Sequence, residues 1–138
     1  MRNILEILED KKFYNMHKLF EMATISRAED KLPQNTKVCV YGENDEQGTK
    51  VPHFHVIIDN GKIEFEIYIK NGYELNIWRS KNKKYKDWSN HNNVKKAVID
   101  FLKKKHRKFT NITNLEYIIQ VWNDNNPTNE IDDDYINS

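Results

Sequence analysis

The chain has 138 residues, 38% of them hydrophobic and 31% charged, with a net charge of +1. That length supports one domain with a modest core that needs no disulfide or metal staple, and the single cysteine, Cys39, excludes an intramolecular disulfide. No apolar run approaches the roughly 18 residues of a membrane span, and Met1-Arg2-Asn3 opens a charged segment, not the apolar core of a secretory leader, so the expectation is a cytoplasmic protein with no membrane partner.

Along the chain, Ile4, Ile7, Leu8, Met16, Leu19 and Phe20 recur at three- and four-residue steps, which predicts one helix or two short ones up to Met22. Residues 24 to 36 lose the pattern and contain Leu32-Pro33, a connecting loop. Thr36 to Tyr41 alternates and is rich in β-branched residues, a strand that buries the Cys39 thiol. Gly42 to Lys50 is a polar loop. It leads into Pro52-His53-Phe54-His55-Val56-Ile57-Ile58, where a strand would turn both histidines to one face and Phe54, Val56 and Ile58 to the other.

Asn60-Gly61 between two alternating runs signals a hairpin with a two-residue turn. Counting back from the turn pairs Ile58 with Ile63, Val56 with Phe65 and Phe54 with Ile67 on the apolar face. On the other face His55 meets Glu66, His53 meets Tyr68, and Glu64 stands one step away. A second turn at Lys70-Asn71-Gly72, with Gly72 left-handed, would pair Ile67 with Leu75 and leave Asn76 beside Glu66. Val94, Ala97, Val98, Phe101 and Leu102 then mark one helix, capped by Asn90, Asn92 or Asn93. Leu115, Ile118, Ile119 and Trp122 mark another, starting at Thr113 or Asn114 and ending before Pro127. The fold expected is α+β: an antiparallel three- to four-stranded meander with helices packed on one face. Residues 1–128 would form the domain, comprising a helical segment (1–35), the meander (36–79), a basic loop (80–90) and the C-terminal helices (91–126), with 129–138 a flexible acidic tail.

His53, His55, Glu64 and Glu66 gather imidazole and carboxylate, a ligand set for a divalent transition metal such as zinc or manganese. The competing account is a solvated sheet face on which Glu66 pairs with a partly charged histidine. The alternating histidines are similar to the end of the histidine-triad nucleotide hydrolases, but Ile57 stands where their next histidine belongs. Cupin spacing fails as well, because Glu64 comes too late and no second motif follows.

Charge is unevenly spread. Residues 79–108 hold twelve Lys and Arg against Asp87 and Asp100, whereas 109–138 hold six acids and no base. Arg79, Lys81, Lys83, Lys84 and Lys86 interleave with Trp78, Tyr85 and Trp88, a pattern suited to a nucleic-acid backbone with stacking platforms. Lys103, Lys104, Lys105, Arg107 and Lys108 add a second cluster at a helix end. Nucleic acid or an acidic protein is the partner this block implies.

Pro52-His53-Phe54-His55-Val56, with Leu115 to Trp122 further on, resembles a small bacterial domain-of-unknown-function family with a P-H-x-H-V motif, linked to toxin-antitoxin or mobile-element modules. The richness in Asn, Lys and Ile fits A/T-rich coding, hence a low-GC bacterium or its phage. The function expected is an accessory or regulatory binding module, with the basic block as partner surface and the His/Glu face as ligand site. The alternative is a small metal-dependent hydrolase or phosphodiesterase using His53, His55 and Glu66, with His91 as a candidate third histidine.

Overall fold

The computed structural model describes residues 22–41, 51–82, 84–127 and 129–131. The expected helical segment before Met22, the polar loop at 42–50, Lys83 and the acidic run Asp132 to Asp134 lie outside the described residues.

Five antiparallel strands follow one another across a single sheet in chain order: β1 (Met22–Thr24), β2 (Lys37–Tyr41), β3 (His53–Ile58), β4 (Ile63–Tyr68) and β5 (Ile77–Ser80). The meander is therefore one strand wider than expected. The addition is β1, three residues long and too short to announce itself by alternation. Two helices, α1 (Asn92–Lys103) and α2 (Asn114–Asn125), complete an α+β fold with helices on one face.

The central hairpin has the register that turn counting predicts. His53 pairs with Tyr68, Phe54 with Ile67, His55 with Glu66, Val56 with Phe65 and Ile58 with Ile63. Asn60 and Gly61 both take positive φ, and Lys62 N donates to Asp59 O across the turn, the geometry for which Asn-Gly is suited. Phe54, Val56, Ile58, Phe65 and Ile67 are buried, together with Val38 and Val40 of β2.

The next connection departs from expectation. Asn71, not Gly72, is left-handed, a short 3-10 turn spans Gly72–Glu74, and Leu75 is left-handed in turn. Leu75 is buried, and its carbonyl accepts the Trp88 indole N–H at 2.8 Å. This long-range tether delays β5, so Ile67 pairs with Ile77 in place of Leu75, and Arg79 in place of Asn76 stands beside Glu66. The residue between, Trp78, is an extra one: the ladder shifts there as in a β-bulge.

α1 buries Val94, Val98, Phe101 and Leu102, the predicted stripe, but its N-cap is His91, with no side-chain cap bond, and not one of the asparagines. Both ring nitrogens of His91 are buried without a hydrogen-bond partner, against Phe65 and Tyr85. α2 starts as expected, with Thr113 as N-cap and Glu116 completing a capping box. After α2 the chain stays packed, contrary to the flexible tail expected from residue 129. Asn123 bonds both backbone groups of Ile131, at 2.6 and 2.9 Å, and Trp122 donates to Asn129 O at 2.9 Å, so 129–131 belong to the packed unit.

Replacing Thr113 with alanine removes the acceptor for Glu116 N and should destabilise the fold by about 1 kcal/mol. The readout is a lower urea midpoint at unchanged slope; an unshifted midpoint would refute the cap's contribution.

Candidate metal centre

Alternation along β3 sends His53 and His55 away from the apolar face, and alternation along β4 brings Glu64 and Glu66 to meet them. This face is not solvated. His55 is 1% exposed, Glu66 4% and His53 7%, which removes the account of a surface pairing.

Both imidazoles are oriented through Nδ1. His53 Nδ1 lies 2.8 Å from Val51 O, and His55 Nδ1 lies 2.9 Å from Glu64 Oε2. Carbonyl and carboxylate oxygens only accept, so each ring carries a proton on Nδ1, and it is the neutral form with this tautomer that has its basic lone pair on Nε2. His53 Nε2 stands 4.0 Å from Glu66 Oε1. A nitrogen of each ring and an oxygen of Glu66 lie within 4.8 Å of one another. These three could hold a metal ion.

Glu64 has a different role from the ligand predicted for it. It binds His55 and, at 2.8 Å, Lys81 Nζ. Burial raises its carboxyl, but Lys81 and His55 outweigh burial and hold it below the usual range. Glu66 is gripped by the Arg79 fork, Nε on one oxygen and Nη2 on the other at 3.2 Å.

The bulge explains how Arg79 arrives there. Consecutive residues of a regular strand face opposite ways, yet Trp78 touches His53, with ring centroids 4.9 Å apart, while Arg79 binds Glu66. The Arg79 guanidinium also lies 4.0 Å over the Trp78 ring. Trp122 of α2 comes within 5.3 Å of His53, centroid to centroid. The expected register already set Trp78 on this face, beside Glu64; Trp122, one of the apolar stripe of its helix, was not expected here. Cys39 pairs with His55 across β2 and β3, but burial pushes its thiol up to about 11. It is a protonated core residue, as its neighbours suggested.

The basic block divides. Arg79 and Lys81 serve the carboxylates of this centre. Trp88 is buried beneath the loop, so it is not a stacking platform, and Tyr85 is half-buried against the core with Lys84 Nζ 5.6 Å from its ring. Lys86 is exposed. Lys103 lies over Tyr73, while Lys104, Lys105, Arg107 and Lys108 are exposed beyond the end of α1. His91 packs against Phe65, whose side chain is on the opposite face of the sheet, and so does not join His55. His106 stacks on Phe109 and meets Tyr117 at a tilt, and these two rings also stack on each other.

Comparison with known protein families, curated proteins and solved structures finds no match.

Burial, reinforced by His53, pushes the His55 imidazole from its ordinary 6.5 down to about 4, against the pull of Glu64 and Glu66. The unfolded chain therefore takes up a proton that the folded chain refuses. Stability from this group is full above pH 6.5 and is lost as pH falls toward 4, by an amount on the order of 3 kcal/mol. In metal-free buffer, urea midpoints at pH 7.5 and 4.5 should differ less in His55→Gln than in the parent; equal differences would show that His55 is not the group responsible.

Proposed function

We propose that this chain is a divalent-transition-metal-binding domain, with His53, His55 and Glu66 as ligands. The observation that supports it is the pair of Nδ1 bonds: two imidazoles, oriented by Val51 O and Glu64, beside a carboxylate on the neighbouring strand. Histidines that ligate metals commonly donate their second N–H to a carbonyl or carboxylate, which sets tautomer and ring orientation. Both variants of that support occur here.

Neutral nitrogen and carboxylate oxygen suit zinc or manganese. Ligand atoms at metal–ligand distances of about 2.1 Å sit roughly 3.4 Å apart in a tetrahedron, so the 4.8 Å group must contract on binding. Contraction falls mainly on Glu66, which has to loosen from Arg79. The Arg79 side chain is 52% exposed and has solvent to move into. Without metal the two carboxylates are balanced by Arg79 and Lys81, so an incoming dication competes directly with Arg79 for Glu66.

Three ligands leave coordination positions for water, a small ligand or a further side chain. Hydrolytic use of such an ion would need a base for the bound water. Glu64 and Glu66, the described carboxylates beside the histidines, are both engaged by cations, which favours a binding role.

The test is metal content and affinity of untagged protein, by elemental analysis and competition with a chromophoric chelator for zinc and manganese. The parent should retain a metal near one per chain. His53→Ala with His55→Ala should abolish it, and Glu64→Gln should weaken it by about 10- to 100-fold. Arg79→Gln should tighten it several-fold by removing the competing cation. Equal, negligible metal in the parent and the double-histidine variant would sink the proposal.

A further inference from the structure

Two cavities open along the β1 side of the sheet, away from the metal centre. One of about 250 Å³ lies between Arg27 and the end of α1, where Lys104, Lys105 and Arg107 line it. The other, about 350 Å³, has Arg27, Lys31 and Lys37 in its wall. They share Thr24 and Arg27, so they adjoin. All six cations are exposed.

Among the described residues the acids nearby are few and engaged. Asp30 lines the first cavity, but its Oδ2 accepts Arg27's own backbone N–H at 2.7 Å. Glu29 meets Arg107 at 3.3 Å in a pair that is open to solvent on both sides, the kind of bond worth little. The end of α1 would ordinarily repel an anion through its free carbonyls. Here Asn114 quenches it: Nδ2 donates to Phe101 O and the backbone N to Lys104 O, each at 2.8 Å. His106, also in that wall, accepts from Lys108 N and Phe109 N through Nδ1 at 3.1 Å, which fixes its ring.

We propose that these adjoining cavities are a phosphate track that binds the backbone of nucleic acid. Cations come from three separate places, the turn after β1, the start of β2 and the end of α1, so an occupant is approached from several sides. That suits the tetrahedral, multiply accepting phosphate group better than a planar carboxylate, and two compartments joined at Arg27 suit a repeating phosphodiester. The first compartment lies below the usual range for whole small-molecule ligands of about 300 to 1,000 Å³ and has room for a charged group. Apolar lining is limited to Ile25 and Phe101 in one and Ala28 and Leu32 in the other, and the rings in the first wall, Phe101 and His106, are only 3% and 6% exposed, so neither offers an open shelf on which to select a base. Binding is to the backbone and indifferent to sequence.

The experiment is fluorescence anisotropy of a labelled 20-nucleotide thymidine strand and of a 20-base-pair duplex, titrated with the full-length chain at several salt concentrations. The parent should bind with a log K that falls linearly with log salt. Arg27→Ala and Lys104→Ala should each reduce that slope by about 0.7 for the single strand or 0.9 for the duplex, whereas Lys84→Ala and Lys86→Ala, away from the track, should leave it unchanged. No binding by the parent at 50 mM salt overturns the proposal. So does a slope unmoved by Arg27→Ala and Lys104→Ala, or displacement by polyglutamate at equal charge concentration, which would assign the track to acidic protein.

Discussion

A slip of one residue between β3 and β4 would turn Phe54, Val56 and Ile58 outward and drive His53, His55 and the facing glutamates into the apolar layer beneath the helices. The whole molecule depends on that slip not happening. The Asn60-Gly61 turn, which places both central residues at positive φ, and three apolar cross-strand pairs on one side hold the register. The same register sets His55 across from Glu66. Core and centre are two faces of a single alignment, and neither could be shifted without the other.

Polar groups on the second face are buried as deeply as many core residues, which is costly unless every charge finds a partner. The arrangement meets that condition with two parallel chains of contact. Lys81 binds Glu64, which binds His55; Arg79 binds Glu66, which stands beside His53. In each chain the cation reaches in from a half-exposed position while the carboxylate and ring lie inside. Solvent can therefore gain access to the cluster by way of its cations, and the His55 imidazole resists protonation because its burial outweighs the pull of the glutamates.

The hairpin, its facing pairs and the α2 start could be read from residues because each rests on short-range chemistry: a turn dipeptide, a period of two, and a Thr with a Glu three places on. The start of β5 could not. It is set by Leu75 in a left-handed conformation and by an indole N–H arriving from Trp88, thirteen residues later. Without that tether, Arg79 and Lys81 look like members of a basic surface, when their charges are spent on Glu66 and Glu64. The reverse error hid the cations of the β1 side. Arg27 and Lys31 are scattered among residues of no evident pattern, Lys37 opens the strand that follows, and only the turn of the chain around β1 gathers them with the end of α1. β1 itself is three residues long, too few for periodicity to register.

The bulge at Trp78 makes the centre unusually sensitive to chain length. Deleting that single residue from β5 would restore an even ladder and leave Arg79 to follow Ile77 directly, on the opposite pleat from Ile77 as before but without the indole that now lies against both His53 and the guanidinium. A three-nucleotide deletion in a coding sequence could thus change how His53 is shielded and how firmly Glu66 is gripped, with His53, His55 and Glu66 all untouched. Chain length in β5 is thus a coarse dial on this cluster that point substitution at His53, His55 or Glu66 does not offer.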